Sequence, residues 1–139
     1  MNRLPNSDDS PVVRTDFSDQ AAWVAVCEAV RTPVREGPDE FVAYVDFIDD
    51  PSFEGLTPES LRSVIDEGCD PRIVFLVDRV TLAHPDHPIL VVDLDKKESG
   101  PFRVIPSLVW SVESNLSIGN MDYEEFAGAV GPDGVFRGF

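Results

Sequence analysis

A chain of 139 residues with a net charge of −15 lacks the basic surface needed to bind nucleic acid directly or to sit on an anionic membrane. Its 42% hydrophobic content is enough for one packed core, and the length is that of a single domain. No stretch approaches the ~18 apolar residues of a spanning helix, and two cysteines, Cys27 and Cys69, are too few for a disulfide framework.

The first ten residues, MNRLPNSDDS, are polar and lack the apolar stretch of a signal peptide. They are expected to be flexible, and the protein to be cytoplasmic with reduced thiols. Residues 11–139 are expected to form one globular domain. Pro11 to Thr15 reads as a short strand. A helix follows, with Ser18 as N-cap and Ala22, Trp23, Val26, Cys27 and Val30 as its apolar stripe. Phe41 to Ile48 is rich in β-branched and aromatic residues and reads as one strand. Thr57-Pro58-Glu59 reads as a helix start, with Leu61, Val64 and Ile65 as the buried stripe and Gly68 as the stop.

Arg72 to Asp78 and Pro88 to Leu94 are apolar on both faces, as in central strands covered on two sides. The ten or so residues between them leave no room for a helix of normal length, so antiparallel pairing is expected. Phe102 to Ile105 completes a meander. Pro106 opens a helix carrying Leu108, Val109, Val112 and Leu116. Asp122 and Glu125 have capping-box spacing for a last helix from Tyr123 to about Val130. Val135 to Phe139 reads as a closing strand, able to pair across a homodimer if it forms an open sheet edge. The fold class is therefore α/β to α+β. A βαβ-like first half and an antiparallel meander share one mixed sheet, packed with three to four helices.

The charge is uneven. Between Glu36 and Asp70 lie eleven acidic residues and one base, Arg62. Because this segment also carries Phe41, Val45, Phe47, Ile48, Phe53, Leu56, Leu61 and Val64, it reads as a folded acidic surface rather than a disordered tail.

Four aspartates, Asp16, Asp46, Asp78 and Asp93, fall at or near the C-terminal ends of predicted strands, the edge where open α/β sheets bind ligands. Asp93 and Asp95 also lie on one side of a strand. Hard cations favour oxygen ligands of this kind. Against a metal site, antiparallel strands at 72 and 88 place Asp78 and Asp93 at opposite edges, and aspartate is a common turn former. His84-Pro85-Asp86-His87 reads as a rigid turn, short of the ligands that zinc needs. Asn115 and Asn120 flank a helix break, where two amides serve either a polar ligand or the helix ends. Arg14, Arg103 and Arg137 interrupt apolar strands and either face solvent or pair with acids. Phosphate-cradling loops and a nucleophile elbow are missing from the sequence, so no cofactor is expected and no catalytic residue is identified.

The segments VVRTDFSDQAAW, FIDDPSFEGLT, PILVVDL, FRVIPSLVWSVESNLSIGNMDYEEFA and GVFRGF resemble a small actinobacterial family of uncharacterised proteins. Nine arginines against two lysines suit a high-GC genome. The resemblance implies a stand-alone cytoplasmic domain and supplies no catalytic residues.

The leading expectation is a non-enzymatic interaction protein, immunity-like or DNA-mimic-like, docking a basic protein partner through Asp39, Glu40, Asp49, Asp50, Glu54 and Glu59. The alternative is a small-molecule-binding protein or metal-dependent enzyme using the strand-end aspartates.

Overall fold

A computed structural model describes residues 2–65, 72–94 and 100–139. Cys69, Gly68 and Asp95 therefore lie outside the described residues. The chain builds β1 (Ser10–Arg14), α1 (Gln20–Arg31), β2 (Val34–Glu36), β3 (Asp39–Phe41), β4 (Val45–Ile48), β5 (Ile73–Val77), α2 (Arg79–Ala83), β6 (Ile89–Asp93), β7 (Phe102–Val104), α3 (Val109–Ser117), α4 (Tyr123–Ala127) and β8 (Val135–Phe136). Six strands form one mixed sheet in the order β4-β1-β5-β6-β7-β8, and β2 and β3 form a separate hairpin. The result is a single small α+β domain.

β1 runs parallel to both β4 and β5, and β5, β6 and β7 follow as an antiparallel meander. The two halves of the sheet thus have the expected pairing. β8 adds in parallel to β7, shorter than the predicted strand from 135 to 139.

Alternation along each strand divides the core in two. Val12, Ile73, Phe75, Val77, Ile89 and Val91 face the helices, where Trp23, Val26, Val112, Leu116, Tyr123 and Phe126 pack on them. Val13, Val74, Leu76 and Val92 face the other way, onto Leu4, Ile48, Phe53, Leu56, Leu61 and Val64. Among the described residues this second face carries irregular chain and 3₁₀ turns in place of α-helices. Leu4 belongs to it. Its side chain is buried and its N–H donates to the Val64 carbonyl at 2.7 Å, so the segment expected to be flexible is anchored at this point.

Other predicted elements also differ in detail. The helix expected from Thr57 is instead a turn followed by a 3₁₀ turn at Leu61–Val64. The Ser60 hydroxyl accepts from the Thr57 N–H at 3.0 Å, and the Thr57 hydroxyl accepts from the Ser60 N–H at 3.3 Å. Such local bonds compete with the helical ladder. Leu61 and Val64 are nevertheless buried as expected. The strand expected over 41–48 breaks after Phe41. Gly37 takes a left-handed φ of 60° in the β2–β3 turn, a conformation that favours glycine. The returning strand sets Phe41 flat against Trp110 of α3, with ring centroids 4.2 Å apart. Finally, the N-cap of α1 is Asp19, whose side chain accepts from the Ala22 N–H at 3.0 Å. Ser18 instead donates to Asp16.

The last helix starts at Tyr123 as read but ends at Ala127, short of the expected Val130. Glu125 reaches back to the Asp122 N–H to close a capping box at α4. Buried Tyr123 of that helix donates its hydroxyl to the Gly100 carbonyl at 2.9 Å, tying α4 to the meander. No helix among the described residues is long and apolar enough to cross a membrane.

Candidate functional site

The parallel strands end together, and the loops leaving them assemble a polar end of the sheet. Arg14 is the last residue of β1. Strand alternation turns its side chain toward α1, where it is 3% exposed. Its Nε donates to the Asp16 carbonyl at 3.1 Å, and Nη1 donates to Gln20 Oε1 at 2.7 Å and to Asp49 Oδ1 at 3.3 Å. The guanidinium lies 4.4 Å from the Phe17 ring centroid and 5.5 Å from that of Trp23. One buried cation thus ties β1, the chain after β4 and the first turn of α1.

Carboxylates surround this tie. Asp16 accepts the Ser18 N–H at 3.0 Å, and bonds from Ser18 hold its carboxyl below the usual range. Asp50 accepts from Asn2 Nδ2 at 2.7 Å and from the Ser52 N–H at 2.9 Å, which likewise lower its pKa. The Gly55 N–H donates to the Thr15 carbonyl at 2.9 Å, which brings exposed Glu54 to the same end. Asp19, exposed at the start of α1, and Asp49 complete the group.

A cleft of about 270 Å³ opens between α1 and β4, lined by Trp23, Cys27, Glu28, Arg31, Phe47 and Asp49 among others. Trp23 meets Phe47 edge-on, with centroids 6.4 Å apart. The Arg31 guanidinium lies 4.5 Å from the Phe47 centroid. Burial pushes the Cys27 thiol up to about 11, so it is protonated at neutral pH and is a poor nucleophile there.

The six acids expected to form one docking face are divided. Asp49, Asp50 and Glu54 gather at the strand ends. Asp39 and Glu40 are exposed on the separate hairpin, where Glu40 pairs with Arg35 at 3.2 Å. Glu59 is exposed in the turn leading to Leu61, beside the second core.

The aspartates considered for a metal are also spread. Asp16 and Asp78 follow the adjacent parallel strands β1 and β5. Asp46 lies opposite Pro11, toward the start of β1. Asp93 ends β6 opposite Ile73, at the far edge from Asp78. Asp78 is engaged by Arg103 through two bonds of 2.9 and 2.8 Å and caps α2 through the Thr81 N–H. Burial would raise its pKa, but the bonds from Arg103 and Thr81 outweigh that and lower it. Among the described residues no three His, Cys, Asp or Glu side chains are grouped as metal ligands.

In the 84–87 turn, His84 Nδ1 accepts the Asp86 N–H at 3.0 Å and His87 Nδ1 lies 2.9 Å from the Thr81 carbonyl. Asn115 and Asn120 are turned toward the end of α3. Asn120 donates to Asn115 Oδ1 at 2.9 Å, and Asn115 donates to the Ser111 carbonyl at 2.8 Å.

Sequence reasoning missed Glu113. It lies on α3 one residue beyond Val112 and is only 6% exposed, accepting from the Ser10 hydroxyl at 3.4 Å and the Ser117 hydroxyl at 3.2 Å. Desolvation raises its pKa. Its spacing of four from Val109 was the available signal. The cleft was missed too, because Trp23 and Cys27 fit an ordinary apolar stripe.

A search of curated proteins finds no match to this chain. A family model described only as a domain of unknown function, DUF6924, matches residues 9–139 and so takes in both loops and the cleft, and the chain belongs to that family.

Proposed function

We propose that the protein is a non-enzymatic interaction module that docks a basic protein through the acidic end of its parallel strands. One observation carries this reading. Asp16, Asp19, Asp49, Asp50 and Glu54 are presented there from two loops, against one buried and engaged cation, Arg14, and one exposed cation, Arg79, whose charge acts on Asp16. The hydrogen bonds that lower the pKa of Asp16 and Asp50 keep those carboxylates ionised and fixed in direction. A fixed negative field steers a basic partner and fixes its orientation. Asp39 and Glu40 are outlying contacts on this reading, and Glu59 is not part of the face. The compartment we assign is the cytoplasm, in keeping with Cys27 as a free thiol, and the arginine-rich base composition fits an actinobacterial source. A homodimer through β8 is the weaker assembly, because a strand of two residues offers few backbone groups.

The test is capture of basic proteins from native extract on immobilised protein at low and high salt. Wild type is expected to retain a basic partner at low salt only, and D16N/D19N/E54Q to lose it. Retention that ignores both salt and the triple variant would overturn the reading. The metal-dependent alternative predicts a thermal shift on adding Mg²⁺, Mn²⁺ or Zn²⁺.

A further inference from the structure

We infer that the cleft between α1 and β4 is a receptor for an arginine side chain of the basic partner, which takes the place now held by the protein's own Arg31. This rests on the docking reading above and specifies its chemistry. Three observations carry it. The cleft volume of about 270 Å³ is open and sits beside the acidic strand ends. Its walls pair the half-buried Phe47 ring, backed by buried Trp23, with two carboxylates, Glu28 and Asp49. Planar cations are held on aromatic faces and by carboxylates together, and arginine suits both better than lysine. Lastly, a guanidinium already sits there: Arg31 covers Phe47 at 4.5 Å.

Arg31 is exposed and terminates α1, so its side chain swings into solvent without disturbing the helix. A cation–π contact at an exposed site is weak, so its release costs little. The incoming guanidinium gains the same ring and also meets the field of the neighbouring acids. Arg31 thus acts as a self-occupant that keeps the aromatic wall covered until a partner arrives. Asp49 remains bonded to Arg14 throughout and presents its other oxygen.

Capped hexa-arginine and hexa-lysine peptides serve as probes, titrated into the full-length protein and followed by backbone amide NMR shifts of residues 23–31 and 45–49. Hexa-arginine is expected to bind about five-fold more tightly than hexa-lysine, with shifts centred on Phe47. Phe47→Leu is expected to remove that preference, and Glu28→Gln to weaken both peptides. Arg31→Ala is expected to tighten hexa-arginine about two-fold by vacating the ring. Thermal melts establish that each variant is folded. Equal binding of the two peptides, with Phe47→Leu and Arg31→Ala without effect, would overturn the cleft assignment and leave docking by charge standing. Binding of neither peptide at low salt would count against both.

Discussion

The two ends of β1 each bury a charged group, and they treat it in opposite ways. At the C-terminal end, Arg14 meets a carboxylate, an amide oxygen, a backbone carbonyl and two aromatic rings. At the N-terminal end, Glu113 reaches, among the described residues, the hydroxyls of Ser10 and Ser117, and Asp9 nearby adds like charge. A buried charge is tolerated when its partners replace the water it gave up. Arg14 has that replacement and serves as a structural tie. Glu113 has less of it, and desolvation raises its pKa.

The largest effect tests the first half of this contrast. Arg14→Ala is expected to cost about 3 kcal/mol in urea unfolding, since it removes packing and three hydrogen bonds together. Arg14→Met, which keeps most of the side-chain length, is expected to cost about half as much, on the order of 1.5 kcal/mol. Equal losses would mean that pairing, not packing, dominates this end.

Asp78→Asn comes next, at about 1.5 kcal/mol, because it weakens a bidentate ion pair and alters the cap of α2. The pKa of Asp78 is lowered in the fold, so its contribution is present above the unfolded value and is lost as pH falls through the folded value. The difference in Tm between wild type and Asp78→Asn should therefore shrink in acid.

Glu113→Gln is the smallest change and has the opposite sign. Its pKa is raised, so ionised Glu113 destabilises the fold once pH exceeds the folded value. At pH 7 the glutamine variant should melt a few degrees higher than wild type. That gain should disappear as pH falls below the unfolded carboxyl range, where both forms are neutral. A variant less stable than wild type at pH 7 would mean that the hydroxyl bonds compensate fully for burial.

Much of the sheet was legible because its signals are local and strong. Two-faced apolar runs gave β5 and β6, and the short connection between them gave their antiparallel pairing. Asp122 and Glu125 gave the start of α4. The failures have physical reasons. Phe41 belongs by composition to a strand but stacks on Trp110, a partner 69 positions away that no local pattern reveals. Thr57 and Ser60 are good helix-start residues, yet their hydroxyls bond each other's backbone and hold a turn. The candidate site was half legible. Clustering of acids in sequence indicated Asp49, Asp50 and Glu54, whereas Asp16 and Asp19 join them only because β1 pairs with β4. The fork of Arg103 on Asp78 was one of two readings of an arginine within an apolar strand, and the fold selects it.

Leu4 gives the second core an unusual dependence. Its N–H bond to Val64 and its buried side chain close a face that carries no α-helix among the described residues, yet it lies before residue 9, where the family match starts. A fragment cut at that boundary would uncover apolar side chains on one side of the sheet only. The two faces should then differ in exchange kinetics. Amides under the helices exchange through openings close to global unfolding, while the Leu4 amide exchanges through release of a short arm. The rate at that single amide is thus a clock for how often the unhelical side of the sheet meets water.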